Sequence, residues 1–147
     1  MLQRSGIHAI KALLELGTQP RHWHSVRQLA AAQALPAPML EQLLLRLRRA
    51  GLLEARRGRC GGYRLALPAE AISLAAILQA LNPDPATGDA AEASDSDGAS
   101  DRVTALVERR LSQALARELA RISLADLLYD LRSATAALSD EGGLLLG

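Results

Sequence analysis

Residues 39–66 read MLEQLLLRLRRAGLLEARRGRCGGYRLA, a run that combines a helical leucine pattern with a glycine-rich hairpin signal. Four of its leucines have the i, i+3, i+4, i+7 spacing of a helix with one apolar face: Leu40, Leu43, Leu44 and Leu47. The spacing predicts a helix over Met39–Ala50, which Gly51 ends. Leu52–Arg56 and Tyr63–Leu67 are predicted strands, because the glycines between them permit the positive φ angles of a hairpin loop.

Two more helices are predicted before this stretch. Apolar periodicity predicts a helix over Arg4–Leu16, which Gly17 would end, and Ser25 is the predicted cap of a short helix over Val26–Gln33. The prolines in Ala34–Pro38 restrict the residues before them and predict a turn. Helix, short helix, turn, helix and hairpin, in this order, predict a winged helix-turn-helix.

The C-terminal part divides into an acidic segment and helices. Pro83–Asp101 has six acidic residues, no basic residue and no large apolar side chain, so we expect a mobile loop. Ser73 is the predicted cap of a helix over Leu74–Leu81. Asp101 would cap a long helix that ends near Arg121, and Ser123 a last helix over Leu124–Leu138. The predicted organisation is a DNA-binding domain (1–82), a flexible acidic loop (83–101), and dimerisation helices with a tail (102–147).

Charge is distributed unevenly along the chain. Residues 1–82 contain 11 Lys and Arg against 4 Asp and Glu, whereas residues 83–147 contain 6 against 12. A basic half is suited to contact a polyanion, and an acidic half would be repelled by one. This asymmetry favours double-stranded DNA as a partner of the N-terminal half, and dimerisation or sensing by the C-terminal half.

The predicted helix Met39–Ala50 has the composition of a DNA-recognition helix, with its leucines turned inward. Five polar side chains would lie on its outer face or flanks: Glu41, Gln42, Arg46, Arg48 and Arg49. Gln42 can read adenine and Glu41 can accept a hydrogen bond from cytosine N4, whereas the arginines can hold phosphate or guanine. The hairpin adds Arg56, Arg57 and Arg59, suited to phosphate or a narrow minor groove.

Each of these features alone is usually unremarkable, because an arginine-bearing helix face is most often only solvated. Their conjunction with the charge asymmetry favours DNA binding. An apolar stripe on the predicted long helix favours a homodimer, since so small a protein would not leave it exposed. The stripe consists of Val103, Leu106, Val107, Leu111, Leu115 and Leu119.

Other sites are weaker candidates. The sequence contains no nucleophile elbow, Walker loop or dinucleotide fingerprint, so we expect no enzyme. His22 and His24 could share a metal, but a connector with solvated histidines and a Trp23 packed on the helix-turn-helix is favoured. The single cysteine, Cys60, excludes an intrachain disulfide. An inert thiol is favoured there, and the alternative is a redox thiol, accessible among arginines on a glycine-rich loop.

The run in residues 39–66, together with ISLAAIL from Ile72 and ISLADLL from Ile122, resembles the Rrf-two (IscR-like) family of transcription regulators. The resemblance implies a homodimer whose long helix crosses to its partner. It implies that Glu41 and Gln42 match base-reading positions, and that Arg57 matches an arginine that enters the minor groove.

Two departures from the family pattern concern the cofactor and the wing, which is the predicted β-hairpin. Cluster-binding members have three cysteines in the loop that corresponds to Pro83–Asp101, and this chain has no cysteine there. Some members take a fourth ligand from the first helix, at the position where this chain has Ile7. We therefore expect no iron–sulfur cluster and no other cofactor. Arg59 and Cys60 also stand where the family tends to have Pro and Gly, which changes the wing.

The fold class expected from these observations is mainly α, a winged helix-turn-helix with one β-hairpin and a long C-terminal dimerisation helix. The expected function is sequence-specific transcription regulation, with repression as the expected mode, by a homodimer on a pseudo-palindromic operator. The alternative is a winged-helix module that binds other proteins without DNA. No apolar run is long enough to span a membrane, so we expect a cytoplasmic protein.

Overall fold

The computed structural model describes residues 2–82 and 98–145. The described helices are α1 (Arg4–Thr18), α2 (Val26–Gln33), α3 (Ala37–Arg49), α4 (Leu74–Leu81), α5 (Ala99–Arg121) and α6 (Leu124–Leu145). A hairpin of β1 (Leu53–Arg56) and β2 (Gly62–Leu65) follows α3, and a 3₁₀ turn (Ala69–Ala71) precedes α4. This order confirms the predicted mainly helical winged helix-turn-helix.

Among the described residues, the buried core around the helix-turn-helix consists of aliphatic side chains. Its largest fully buried side chains are Leu13, Leu16, Leu29, Leu40, Leu44, Leu47, Ile72, Ile77 and Leu124. The apolar faces of α1, α2 and α3 meet there, as the leucine spacing predicts. Burial of these side chains fixes α3 with its polar face outward, because the helix cannot rotate without exposing leucine.

The hairpin has one buried and one solvated face. Leu53 pairs with Leu65, and both side chains lie in the core. Glu54 pairs with Arg64 one step further, on the opposite face, where Arg64 Nε lies 2.8 Å from Glu54 Oε2. Successive side chains of the hairpin point to opposite faces, and burial is confined to the Leu53–Leu65 end, since the rest of β1 is exposed and the rest of β2 is half-buried.

Two sequence segments that look alike meet in space. The amide of Leu74 donates to the carbonyl of Ile122 at 2.8 Å, and the amide of Leu124 donates to the carbonyl of Ile72 at 2.7 Å. These bonds form a short antiparallel bridge between the residues before α4 and those before α6. Since Leu124 is fully buried, the bridge fixes the start of α6 on the helix-turn-helix core.

Several predicted boundaries were wrong by a few residues. α3 begins at Ala37 rather than Met39, with Pro36 at its N-cap, because Pro38 fits the first turn of a helix. The predicted turn is therefore shorter than Ala34–Pro38. It includes Ala34 at φ 52°, in the left-handed region, after the end of α2. Gly17 does not end α1, and a Cβ there would overlap Leu128 of α6, so this glycine permits close helix packing.

α5 and α6 also differ from the prediction. α5 begins at Ala99, and Asp101 stabilises its start from within the first turn, where its Oδ2 accepts the Gly98 amide at 3.0 Å. Residues 98–101 therefore belong to the start of α5, and the rest of the predicted mobile loop, 83–97, lies outside the described residues. α6 continues to Leu145 rather than Leu138. None of the described helices is both long and apolar enough to cross a membrane.

Candidate nucleic-acid interface

The exposed side of α3 presents the residues that sequence reasoning selected. Glu41, Gln42, Arg48 and Arg49 are exposed. At 3.6 residues per turn, Gln42, half-buried Leu45 and Arg49 form the row opposite the core. Glu41 and Arg48, seven residues apart, lie together on one flank of this row. Within the described ranges none of these four polar side chains has a hydrogen-bond or ion-pair partner, so all four can meet a ligand.

The other flank of α3 contacts the rest of the protein. Arg46 Nη1 lies 3.3 Å from the carbonyl oxygen of Leu81, at the end of α4. Two turns earlier, Met39 Sδ lies 3.2 Å from Nδ1 of His8 on α1. The structure thus separates Arg46 from the other arginines of α3, which the sequence had grouped together.

The wing places two arginines at its tip and a third on its face. Arg57 and Arg59 are exposed in the loop between β1 and β2. Arg56 Nη2 donates to the carbonyl oxygen of Cys60 at 2.6 Å, closing the loop. A Cβ at Gly61 would overlap the carbonyl of Arg56, so this close turn requires glycine. Cys60 is a free, exposed cysteine.

Sequence reasoning missed the role of the connector between α1 and α2. His24 forms a bridge with Tyr63, through bonds of 2.9 and 2.8 Å between their backbones. Trp23 packs beside the wing rather than on the helix-turn-helix, with the guanidinium carbons of Arg56 and Arg64 at 4.7 and 4.3 Å from its ring centre. Arg56 and Arg64 share the solvated face of the hairpin, but only the fold shows that Trp23 covers it.

The predicted dimerisation stripe is exposed along most of α5. The fractional exposures of its first five side chains run from 42% to 65%: Val103, Leu106, Val107, Leu111 and Leu115. Leu119 differs, since it is partly buried against the protein's own core. An apolar row of this length in contact with water favours a partner surface.

The residues present do not fit an iron–sulfur cluster. Cys60 is the chain's single cysteine and lies on the exposed wing. His8 is hydrogen-bonded to Met39, and its neighbour Ile7 has no ligating atom. The described part of the chain holds no group of three or more His, Cys, Asp or Glu placed to bind a metal, and the His22 and His24 rings are 6.4 Å apart between centres. Cysteinyl clusters need several thiolates in one place.

Comparisons with known proteins agree with this geometry. Residues 2–130 match the model of the Rrf2 (Rrf-two) family, described as an iron-dependent transcriptional regulator. A Synechocystis protein assigned as an HTH-type transcriptional regulator is 46% identical over 135 residues, 88% of each chain. The IscR regulator of Cereibacter sphaeroides is 41% identical over 83 residues, 54% of each chain.

Solved structures give the same result over most of the chain. The T. potens IscR superimposes with a TM-score of 0.73 at 29% identity, covering 91% of this chain and 90% of its own. CymR, the global cysteine regulator of B. subtilis, has a TM-score of 0.69 at 25% identity, covering 88% and 96%. The described helix-turn-helix and wing therefore have the architecture of DNA-binding regulators, and the chain belongs to the Rrf2 family of transcription regulators.

Proposed function

We propose that this protein binds a pseudo-palindromic operator as a homodimer and represses transcription. The observation that carries this proposal is the exposed polar surface of α3, which four buried leucines hold outward and whose side chains have no hydrogen-bond or ion-pair partner among the described residues. Glu41 and Gln42 would contact base edges in the major groove, and Arg48 and Arg49 the flanking phosphates or guanines. Arg57 and Arg59, with Arg56 behind them, would meet phosphate or the adjacent minor groove.

The dimer would form through α5. Pairing the exposed stripe with that of a second copy removes five large apolar side chains from water, which is favourable by about 25 cal/mol per Å² buried. Two-fold symmetry would then place two recognition helices about 34–36 Å apart, one turn of DNA. Repression would follow where the occupied operator overlaps a promoter. Such a protein would act in the cytoplasm, without a catalytic step or a cofactor.

The dimer is tested with a pair of matched variants on α5. Leu111→Glu places a charge in the stripe, at a side chain that is 65% exposed, whereas Gln113→Glu adds the same charge two positions away on the helix. We expect light scattering to give a dimer for the wild type and Gln113→Glu, and a monomer for Leu111→Glu. A wild-type monomer at micromolar concentration that still binds one half-site tightly would contradict the proposal.

DNA binding is tested by selection from a random duplex pool at low salt. We expect enriched duplexes with two related half-sites, and an affinity that falls steeply with salt, because bound arginines release counterions from phosphate. Absence of binding to any duplex would favour the alternative, a winged-helix module that recognises other proteins. The exposed arginines on α3 and the wing favour DNA, since a protein-binding module would not need them.

A further inference from the structure

A cleft of about 460 Å³ lies between the connector after α1, the start of α2 and the wing. Three arginines from two separate segments line it: Arg21, Arg56 and Arg59. Other polar side chains that line it are His22, Ser25 and Gln28, and none of the described carboxylates does. A concave surface lined in this way by three guanidinium groups is complementary to an anion rather than to a neutral molecule.

The fold holds this cleft open and places its arginines. The Arg56 guanidinium lies between the Trp23 ring, at 4.7 Å, and the Cys60 carbonyl, to which it donates at 2.6 Å. The hydrogen bond closes the loop of the wing itself, and the contact with Trp23 joins the wing to the connector. The backbone bridge between His24 and Tyr63 joins the same two segments one residue further on. The walls of the cleft are therefore held together by packing and backbone hydrogen bonds.

The start of α2 borders the cleft through Ser25 and Gln28. Ser25 Oγ accepts the Gln28 amide at 3.1 Å, and the Gln28 side chain accepts the Ser25 amide at 2.9 Å. This capping box leaves the amides of Val26 and Arg27 without an acceptor within the described part of the chain. Unpaired first-turn amides carry the positive end of the helix dipole, which favours a phosphate nearby.

The position of the cleft matches a specific part of DNA. With α3 in the major groove and the wing in the neighbouring minor groove, one sugar–phosphate strand separates the two elements. The cleft lies between the start of α2 and the wing, so in this docking that strand would pass beside it. We propose, on the basis of the proposed function, that this cleft seats a backbone phosphate of that strand, held by Arg21 together with Arg56 and Arg59.

Arg21 is the residue that tests this proposal, because it is exposed and has no hydrogen-bond or ion-pair partner among the described residues. Arg21→Ala should therefore fold normally, which a thermal melt checks. Arg21→Lys keeps the charge and should keep most of the contact. Arg109→Ala, exposed on α5 and outside the cleft, removes the same charge and is the matched control.

The experiment uses a duplex selected from a random pool by the wild-type protein. Phosphate ethylation should interfere with wild-type binding at a position between each major-groove half-site and its adjacent minor groove, and this interference should disappear in Arg21→Ala. The salt slope, which is the slope of log affinity against log salt concentration, should become shallower by about one unit for each protomer. The change should therefore be about two units for a dimer. Arg109→Ala and Arg21→Lys should retain the wild-type pattern.

The single tryptophan gives a second readout, since Trp23 lines the cleft. Binding of the selected duplex should change wild-type Trp23 emission and change it less in Arg21→Ala. The cleft proposal would be overturned if Arg21→Ala bound the duplex with the salt slope and the ethylation interference pattern of the wild type. The proposed function would then remain intact. A wild-type protein that binds no duplex at all would overturn both.

Discussion

Arg46 Nη1 lies 3.3 Å from the carbonyl oxygen of Leu81, and Leu81 is the last residue of α4. The final carbonyls of a helix lack intrahelical partners and carry the negative end of its dipole, so a guanidinium there is a favourable C-terminal cap. The contact joins the recognition helix to α4. Arg46 is one of three basic residues in the last turn of α3, and this contact gives it a partner inside the protein.

We expect Arg46→Ala and Arg49→Ala to have different effects. Arg46→Ala removes the cap of α4 and should lower the free energy of unfolding by about 0.5 kcal/mol, with little change in the salt slope of DNA binding. Arg49→Ala leaves the packing unchanged and should reduce that slope by about one per protomer. Denaturant unfolding and salt-dependent titration of one duplex measure both effects. Equal losses of slope would show that Arg46 also contacts phosphate.

Base recognition should depend on Gln42 and Glu41. Truncation of either to alanine removes a side chain that can pair with one base, without touching the buried leucines of α3. Each variant should lose roughly 1–3 kcal/mol on the best site and become indifferent to the base at one position per half-site. Arg48→Ala is the comparison and should weaken all sequences alike. Selection of duplexes from a random pool with each variant measures the base preference at every position of the operator. Unchanged base preference would mean that other residues read the operator.

Gly62 should be intolerant of substitution. Its φ is 143°, and a Cβ there would overlap the carbonyl of His24, at the bridge that joins connector and wing. Gly62→Ala should therefore destabilise the protein by several kcal/mol, because backbone on two segments must move. Gly58 is the control, with φ 110° and open space around it, so Gly58→Ala should lose about 1 kcal/mol from backbone strain alone. Similar melting temperatures for the two variants would contradict this account.

The sequence predicted the elements of this fold better than the contacts between them. Leucine spacing in α3 and glycines in the wing are local signals, and both elements were predicted close to their observed positions. The connector gave no such signal, because the packing of Trp23 against Arg56 and Arg64 joins residues more than 30 positions apart. For the same reason Arg21 was not selected, and Arg46 was grouped with DNA contacts before its acceptor in α4 was visible.

This protein should bind no iron–sulfur cluster, although its family is described as iron-dependent. The proposed dimer would offer two thiols, one Cys60 on each exposed wing, and wings that reach separate DNA segments could not share a cluster. Protein purified aerobically, or reconstituted anaerobically with iron and sulfide, should be colourless. Stoichiometric iron and sulfide together with a visible absorption band would show that the chain assembles a cluster by another route.

Cys60 decides whether the DNA-binding surface can respond to a thiol oxidant. Its carbonyl accepts the Arg56 bond that closes the wing loop, and its side chain is exposed beside the arginine-lined cleft. A bulky adduct there would crowd the DNA that the wing approaches. We favour an inert thiol, for which diamide leaves operator binding unchanged. If diamide does weaken binding, a reductant should restore it and Cys60→Ser should bind normally while ignoring diamide, because the chain contains no other cysteine. Equal diamide sensitivity in the wild type and Cys60→Ser would exclude this thiol as the sensor.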